Sequence, residues 1–363
     1  MATRVLVGTY TRKEDHVDGK GKGVYAISVD HATGKMSLLG VTDVGVNPSF
    51  VAAANGVAFV VNECADDMNG QATGFVRAYA IGADGQLTLK NIEPSHGTYP
   101  CHASVDPSGR YVAVSNYGGG NVALYPIRAD GSIAPASSIQ QFTGASLVNA
   151  ARQEAPHCHS TTWAGATLFA LDLGNDKVMQ LTLEAATGAL EPHSARAFVP
   201  QPPGAGPRHM SLHPTLPVAY VVHELSNSLG VFALEGDGSL AATPLQTVST
   251  RRPERAHSDA FSLNAEVQVA PSGRAVVVSN RGDDTLVTFP IAADGRVDAP
   301  TFVSSGGSFP RHFAFLGNDL VVSANQNSDS ILTYRLASNG SLEPTGESIE
   351  IPTPVCLCPI APA

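Results

Sequence analysis

Arginine, histidine and glutamate cluster in a few short stretches of this otherwise charge-poor sequence. They are Pro156-His157-Cys158-His159, Pro207-Arg208-His209, Val222-His223-Glu224, Asn280-Arg281 and Pro310-Arg311-His312. A positioned carboxylate or imidazole can take a proton from water. An arginine can face the negative charge that develops on an attacked carbonyl, or grip a carboxylate or phosphate through two parallel bonds. Glu224 or His159 as base, with Arg208 and Arg281 as cationic partners, would suit attack of water on a carbonyl carbon. His157, His209, Arg311, Glu63 in Asn62-Glu63 and Gln326 in Asn325-Gln326 are candidates for holding the substrate.

Each of these residues also has a plainer use. Glu224 and Arg281 could brace two neighbouring structural units, and an exposed ion pair of that kind is worth only about 0–1 kcal/mol. His102, His209 and His312 recur at one repeat position, which suits a structural bond to neighbouring backbone. His157-x-His159 would put two rings on one face of a strand, but no carboxylate or further thiol accompanies them at ligand spacing, so no metal is expected. By repeat register, Cys158 rather than His159 aligns with His102 and His209. Arg251-Arg252-Pro253-Glu254-Arg255 reads as a solvated loop, and Cys356-x-Cys358 as packing on a C-terminal strand. No Gly-x-Ser-x-Gly elbow or P-loop is present, and Gly118-Gly119-Gly120 has no helix after it that would make it a dinucleotide fingerprint.

What positions these residues is a repeat. A small or polar residue, then Gly, then one residue, then an aliphatic recurs around Gly34, Gly85, Gly131, Gly188, Gly238, Gly295 and Gly340. The glycines span 306 residues in six steps, 51 each, so seven copies use up the 363 residues. Gly supplies the positive φ of a tight turn, and an Asp or Asn before it can bond the turn backbone. Alternating segments precede the turns, such as Val122-Ala123-Leu124-Tyr125-Pro126-Ile127, and this period of two marks strands. Nine residues separate a polar strand end from an apolar position in Asn116/Tyr125, Asp172/Leu181, His223/Phe232, Asn280/Phe289 and Asn325/Tyr334.

One unit is therefore four antiparallel strands, A to D. In the third, A is about His102–Val105, B is Tyr111–Asn116, C is Asn121–Ile127, and D follows Gly131. Four-stranded units of this length are the period of propeller blades. The expectation is an all-β, seven-bladed β-propeller occupying 1–363 as one domain, with the strand near Val5–Thr9 pairing beside the C-terminal segment to close the ring. Strand A lines a central channel, so the starts of A and the ends of B share one face. That face collects the arginines, histidines and glutamates, while the glycine turns lie opposite.

The net charge of −10 argues against nucleic-acid or anionic-membrane partners, and no apolar run is long enough to span a membrane. Five cysteines, an odd number, fit reduced thiols in a cytoplasm, and no basic head and apolar stretch of a signal peptide precedes Val5-Leu6-Val7.

Gly206-Pro207-Arg208-His209, Val222-His223-Glu224-Leu225, Val278-Ser279-Asn280-Arg281-Gly282 and Ala324-Asn325-Gln326-Asn327-Ser328, in this order, resemble the bacterial propeller-type lactonase family. That family includes propeller-type 6-phosphogluconolactonases and fungal carboxy-muconate lactonizing enzymes. The resemblance runs from about Val5 to Cys358, and the residues matching the family's proposed active site are His159, Arg208, Glu224 and Arg281. It implies no metal or organic cofactor. It implies a carboxylic-ester hydrolase of carbohydrate metabolism, acting on a small anionic or sugar lactone. The leading expectation is hydrolysis of 6-phospho-glucono-1,5-lactone to 6-phosphogluconate, in the pentose phosphate pathway, by a cytoplasmic monomer or weak homo-oligomer. A muconate-type cycloisomerase would use the same charges, and a propeller can also serve as a non-catalytic binding module.

Overall fold

The computed structural model describes residues 2–68, 70–255 and 260–360. Seven antiparallel sheets follow one another around an axis, and no α-helix occurs among the described residues. The third sheet runs Pro100–Val105, Tyr111–Asn116, Asn121–Pro126 and Ser138–Gln141, close to the expected A, B and C, with D beginning seven residues beyond Gly131. A bridge between Ile127 and Ile133 closes its glycine turn before the chain reaches D. The fourth sheet carries two short outer segments, Ala189–Pro192 and Phe198–Pro200, both paired to its third strand.

Ring closure joins the two ends of the chain. Pro354–Ile360 is the innermost strand of the first sheet and pairs antiparallel with Ala2–Thr9. The pairing leaves no open edge where the ring begins and ends. Cys356 sits in this strand as a buried thiol against Val51 of the next blade, so the Cys-x-Cys pair does pack, as expected.

The glycine turns follow the chemistry that predicted them. All seven glycines have φ between +70° and +86°. In the third and fifth blades the Asp before the glycine accepts the backbone N–H and the hydroxyl of the serine after it.

One expectation needs correcting. Strand C was read as alternating, yet Asn121–Tyr125 and Thr285–Phe289 are buried at every residue, as are the B strands Tyr111–Asn116 and Ala275–Arg281. Blades stack face to face, so both faces of the inner strands are covered. Val218, Tyr220 and Val222 of the fifth blade, for example, share one core cluster with Val267, Val276, Val278 and Phe289 of the sixth. Alternation survives in the outer strands, as in Ser138–Gln141 and Gln246–Ser249.

Candidate active site

Two repeated positions build the site. The first is a bulge near the start of strand A. Pro100 faces Asn116 while His102 faces Ser115, which leaves Cys101 without a cross-strand partner. The same shift isolates His159 between Cys158 and Ser160, Arg208 between Pro207 and His209, and Arg311 between Pro310 and His312. A bulge re-aims the extra residue's side chain. These four line one small chamber on the axis.

This pairing corrects the register read from sequence. Ser160, not Cys158, is level with His102, His209 and His312, and His159 is level with Arg208 and Arg311. Pro-x-His marks the strand start in the third, fifth and seventh blades, but here Pro156 lies outside the strand, which begins at Cys158.

The second position is the residue that follows the polar end of strand B. The polar ends themselves are structural: Asn62, Asn116, Asn280 and Asn325 each donate from Nδ2 to backbone carbonyls of the segment entering their blade. The residues after them include Glu63, Tyr117 and Arg281, and the residue after His223 is Glu224. All four line a cavity of about 510 Å³ at the channel mouth, together with Arg152, His159 and Arg311.

Glu224 is the electrostatic centre of this cavity and is only 2% exposed. Arg152 Nη2 donates to its Oε1 at 2.7 Å. Arg208 Nε and Arg281 Nη2 lie 2.8 and 3.0 Å from its Oε2. Burial pushes the carboxyl pKa up, but Arg281, Arg152 and Arg208 outweigh burial and hold it well below the usual carboxylate range. The pair with Arg281 is thus a buried network and not the exposed brace considered above. A carboxylate so held is always ionised and weakly basic, which suits anchoring the guanidiniums better than removing a proton.

His159 Nε2 is 3.9 Å from Glu224 Oε2, too far for a hydrogen bond. Burial, reinforced by the nearby Arg208, His209, Arg311 and Arg281, pushes its pKa well below the ordinary value, so it is a neutral imidazole at pH 7. Burial pushes the Cys101 thiol up, which leaves it a poor nucleophile. Arg311 is half-buried, and its Nη2 donates to the Tyr10 hydroxyl at 3.1 Å. The two linings together hold the guanidiniums of Arg152, Arg208, Arg281 and Arg311 and the carboxylates of Glu63 and Glu224, with Glu14 and Asp15 at the rim.

Three other candidates do not line the mouth cavity, although His209 lines the axial chamber below it. His157 lines neither. Its ring nitrogens are 2.9 Å from the Tyr117 carbonyl and 3.0 Å from Glu154, and its ring stacks on Tyr117 at 4.4 Å. His209 stands one level deeper, 2.9 Å from Glu266 Oε2, which also contacts His312 Nε2 at 3.1 Å. His102 and His312 accept backbone N–H bonds from Thr161 and Leu357 of the next blades, the structural task that recurrence implied. Gln326 is buried beside a separate groove and donates to Asn327. Among the described residues, no group of three or more His, Cys, Asp or Glu is arranged to hold a metal ion.

Sequence reasoning missed residues that arrive on connections. Arg152 comes from the segment between the third and fourth blades, and Tyr99, Phe261 and Phe309 give the mouth an aromatic wall. The Phe261 and Phe309 rings stack at 6.3 Å, and Arg281 lies over Phe309 at 5.2 Å. A hairpin, Lys13–Glu14 with Val17–Asp18, places Glu14, Asp15 and His16 at the rim. Arg251 and Arg255 both bind Asp283 outside the cavity, and Arg252 lies over Phe302.

Comparison with known proteins agrees with this fold. The family described as "Lactonase, 7-bladed beta-propeller" matches residues 4–359. The chain is 33% identical to the 6-phosphogluconolactonase of Bacillus subtilis over 365 residues, 97% of this chain and 96% of that one. It is 26% identical to the 6-phosphogluconolactonase of Formosa agariphila, covering 91% and 92% of the two chains. Among solved structures, the periplasmic gluconolactonase PpgL of Pseudomonas aeruginosa superposes with a TM-score of 0.89 at 34% identity, over 100% of both chains.

Proposed function

From the premise that the chain belongs to the seven-bladed β-propeller lactonases, we propose that it hydrolyses 6-phospho-glucono-1,5-lactone to 6-phosphogluconate. Lactone hydrolysis is the activity carried in the names of its full-length relatives, one phosphorylated in its substrate and one not. The observation that favours the phosphorylated lactone is Arg152, a guanidinium one-third exposed at the mouth and aimed there by its bonds from Nε to Tyr117 and from Nη2 to Glu224. A neutral sugar ring does not need a cation there, whereas a phosphate does.

In this reading Arg208 and Arg281 face the lactone carbonyl and stabilise the oxyanion as water adds. Glu224 keeps the guanidiniums aimed before substrate arrives. Arg152, the more exposed member of the cluster, is placed to take the phosphate in a two-bond grip. The aromatic wall of Tyr99, Phe261 and Phe309 offers flat apolar faces to the sugar carbons. The reaction consumes water and releases a proton, and no step requires a metal or an organic cofactor.

No described helix is long and apolar enough to cross a membrane. Five free thiols support a reducing cytoplasm, although the Pseudomonas relative is periplasmic. A cytoplasmic site of action, as a monomer or weak homo-oligomer in the pentose phosphate pathway, completes the reading. The test is initial-rate hydrolysis of glucono-1,5-lactone with and without the 6-phosphate, alongside a carboxymuconate, each corrected for spontaneous ring opening. A clear preference in kcat/KM for the phosphorylated lactone is expected. Equal values for the two sugars would remove the phosphate from the proposal, and turnover of carboxymuconate alone would replace hydrolysis with cycloisomerisation.

A further inference from the structure

The cavity holds a second buried carboxylate in a quite different setting. Glu63 is 7% exposed and lies across the axis from Glu224. The Tyr10 hydroxyl donates to both of its carboxylate oxygens at 3.0 Å. Among the described residues no guanidinium forms an ion pair with it, so its oxygens retain free lone pairs, whereas those of Glu224 are taken up by three arginines.

The support around Glu63 is rigid. Tyr10 is fully buried, and burial, outweighing the cation of Arg311, pushes its pKa well up, so it remains a phenol that donates. Arg311 Nη2 bonds the same hydroxyl, and its guanidinium lies 5.5 Å from the Tyr10 ring centroid. Tyr10 and Glu63 hold comparable positions in the first two blades: Tyr10 follows the end of Ala2–Thr9, and Glu63 follows Asn62 within Val57–Met68, where that strand's register with Gln71–Ile81 shifts. The other charged or titratable groups around Glu63 are Cys101, His16 and Arg311, with His159, Arg208, His209 and His312 lining the same axial chamber.

Next to Glu63 is the small axial chamber, about 10 Å³, bounded at the same level by Cys101, His159, Arg208 and Arg311. That volume is the size of a single water, and the lining supplies the two to four polar partners a buried water needs. The chamber shares Glu63, Cys101, His159 and Arg311 with the mouth cavity above it, so an occupant would sit directly under a bound lactone.

We propose that Glu63 is the general base that activates the nucleophilic water in this chamber, with Tyr10 and Arg311 as its positioning residues. The inference rests on the lactonase reading and assigns that reaction its proton acceptor. A water O–H bond breaks and its proton passes to Glu63, while the oxygen bonds to the lactone carbonyl carbon. The carbonyl electron pair moves onto its oxygen, facing Arg208 and Arg281. When that pair returns, the bond to the ring oxygen breaks and Glu63 gives the proton to the leaving oxygen. The product is an open-chain hydroxy acid, which releases a proton to solvent.

The experiment compares wild type, Glu63→Gln, Glu63→Ala and Tyr10→Phe on the lactone that wild type turns over best. Glu63→Gln should lower kcat by about 10²–10⁴ with KM little changed. Glu63→Ala should regain part of its kcat when formate is added, and wild type should not respond to formate. Tyr10→Phe removes the hydroxyl that positions the carboxylate, so its kcat should fall by about tenfold or more with KM little changed. Circular dichroism and gel filtration on each preparation report folding. If Glu63→Gln fails to fold, the kcat loss at unchanged KM in a folded Tyr10→Phe decides. A folded Glu63→Gln with kcat within threefold of an active wild type, or a folded Tyr10→Phe with unchanged kcat, would overturn the role of Glu63 and leave the lactonase reading intact. A wild type inactive on every lactone would overturn the lactonase reading, and the base assignment with it.

Discussion

Replacing Glu224 with Gln removes one negative charge from beneath three guanidiniums, two of which are as buried as the carboxylate itself. The Arg208 and Arg281 side chains are 3% and 4% exposed, so neither can turn to water to recover its hydration. Breaking a buried pair by removing one partner typically costs ~3–5 kcal/mol, because the remaining charge is left uncompensated. At an unfolding entropy of ~2.1 cal/mol/K per residue, each kcal/mol moves the Tm of a 363-residue protein by about 1.3 °C, so a fall of roughly 4–7 °C is expected. The pH dependence gives a second signature. The folded-state pKa of Glu224 is depressed, so its contribution is complete above the unfolded value of ~4.3 and is lost as pH falls below it. The difference in stability between wild type and variant should be largest near pH 7 and shrink toward pH 3. Differential scanning calorimetry at pH 7, 5 and 3 measures both. Turnover per folded molecule should fall as well, because the guanidiniums lose their common anchor. A Tm within 2 °C of wild type at pH 7, or a difference that grows as pH falls, would refute the claim that Glu224 anchors a buried cationic cluster.

Arg281→Lys should keep the positive charge but lose the planar grip and the stacking on Phe309, lowering kcat by at least tenfold at near-normal KM in steady-state assays. Arg152→Ala should raise KM for the phosphorylated lactone by about tenfold or more, the loss of a bond to a charged group, and leave KM for glucono-1,5-lactone nearly unchanged. Exhaustive chelation followed by a lactone assay should leave activity intact, because no set of metal ligands is arranged among the described residues. Activity lost to chelation and restored by zinc or calcium would contradict this.

Much of the architecture was legible because backbone chemistry enforces it. A turn that needs positive φ selects Gly seven times over, and that recurrence alone counts the blades. Asn62, Asn116, Asn280 and Asn325 were visible as polar strand ends because each ties its blade to the incoming segment. The bulge at Cys101, His159, Arg208 and Arg311 was not legible, since a bulge adds a residue without changing composition. That is why Pro156 misled the register and placed Cys158 where Ser160 belongs. Tyr10 escaped notice because its blade is split between the two ends of the chain, so its kinship to Glu63 shows only once the ring closes. Arg152, Phe261 and Phe309 lie on connections of irregular length, where no period marks them. His157 looked functional by type, but its proton-bearing atoms are engaged by Tyr117 and Glu154.

The central claim is that this arginine-bearing cavity opens a phosphorylated sugar lactone. The most direct measurement is a pH-stat assay of purified wild-type protein on freshly generated 6-phospho-glucono-1,5-lactone, set against glucono-1,5-lactone under identical conditions. Proton release well above the spontaneous rate, with the higher kcat/KM on the phosphorylated substrate, is the predicted result. A rate on both lactones indistinguishable from the uncatalysed reaction would contradict it.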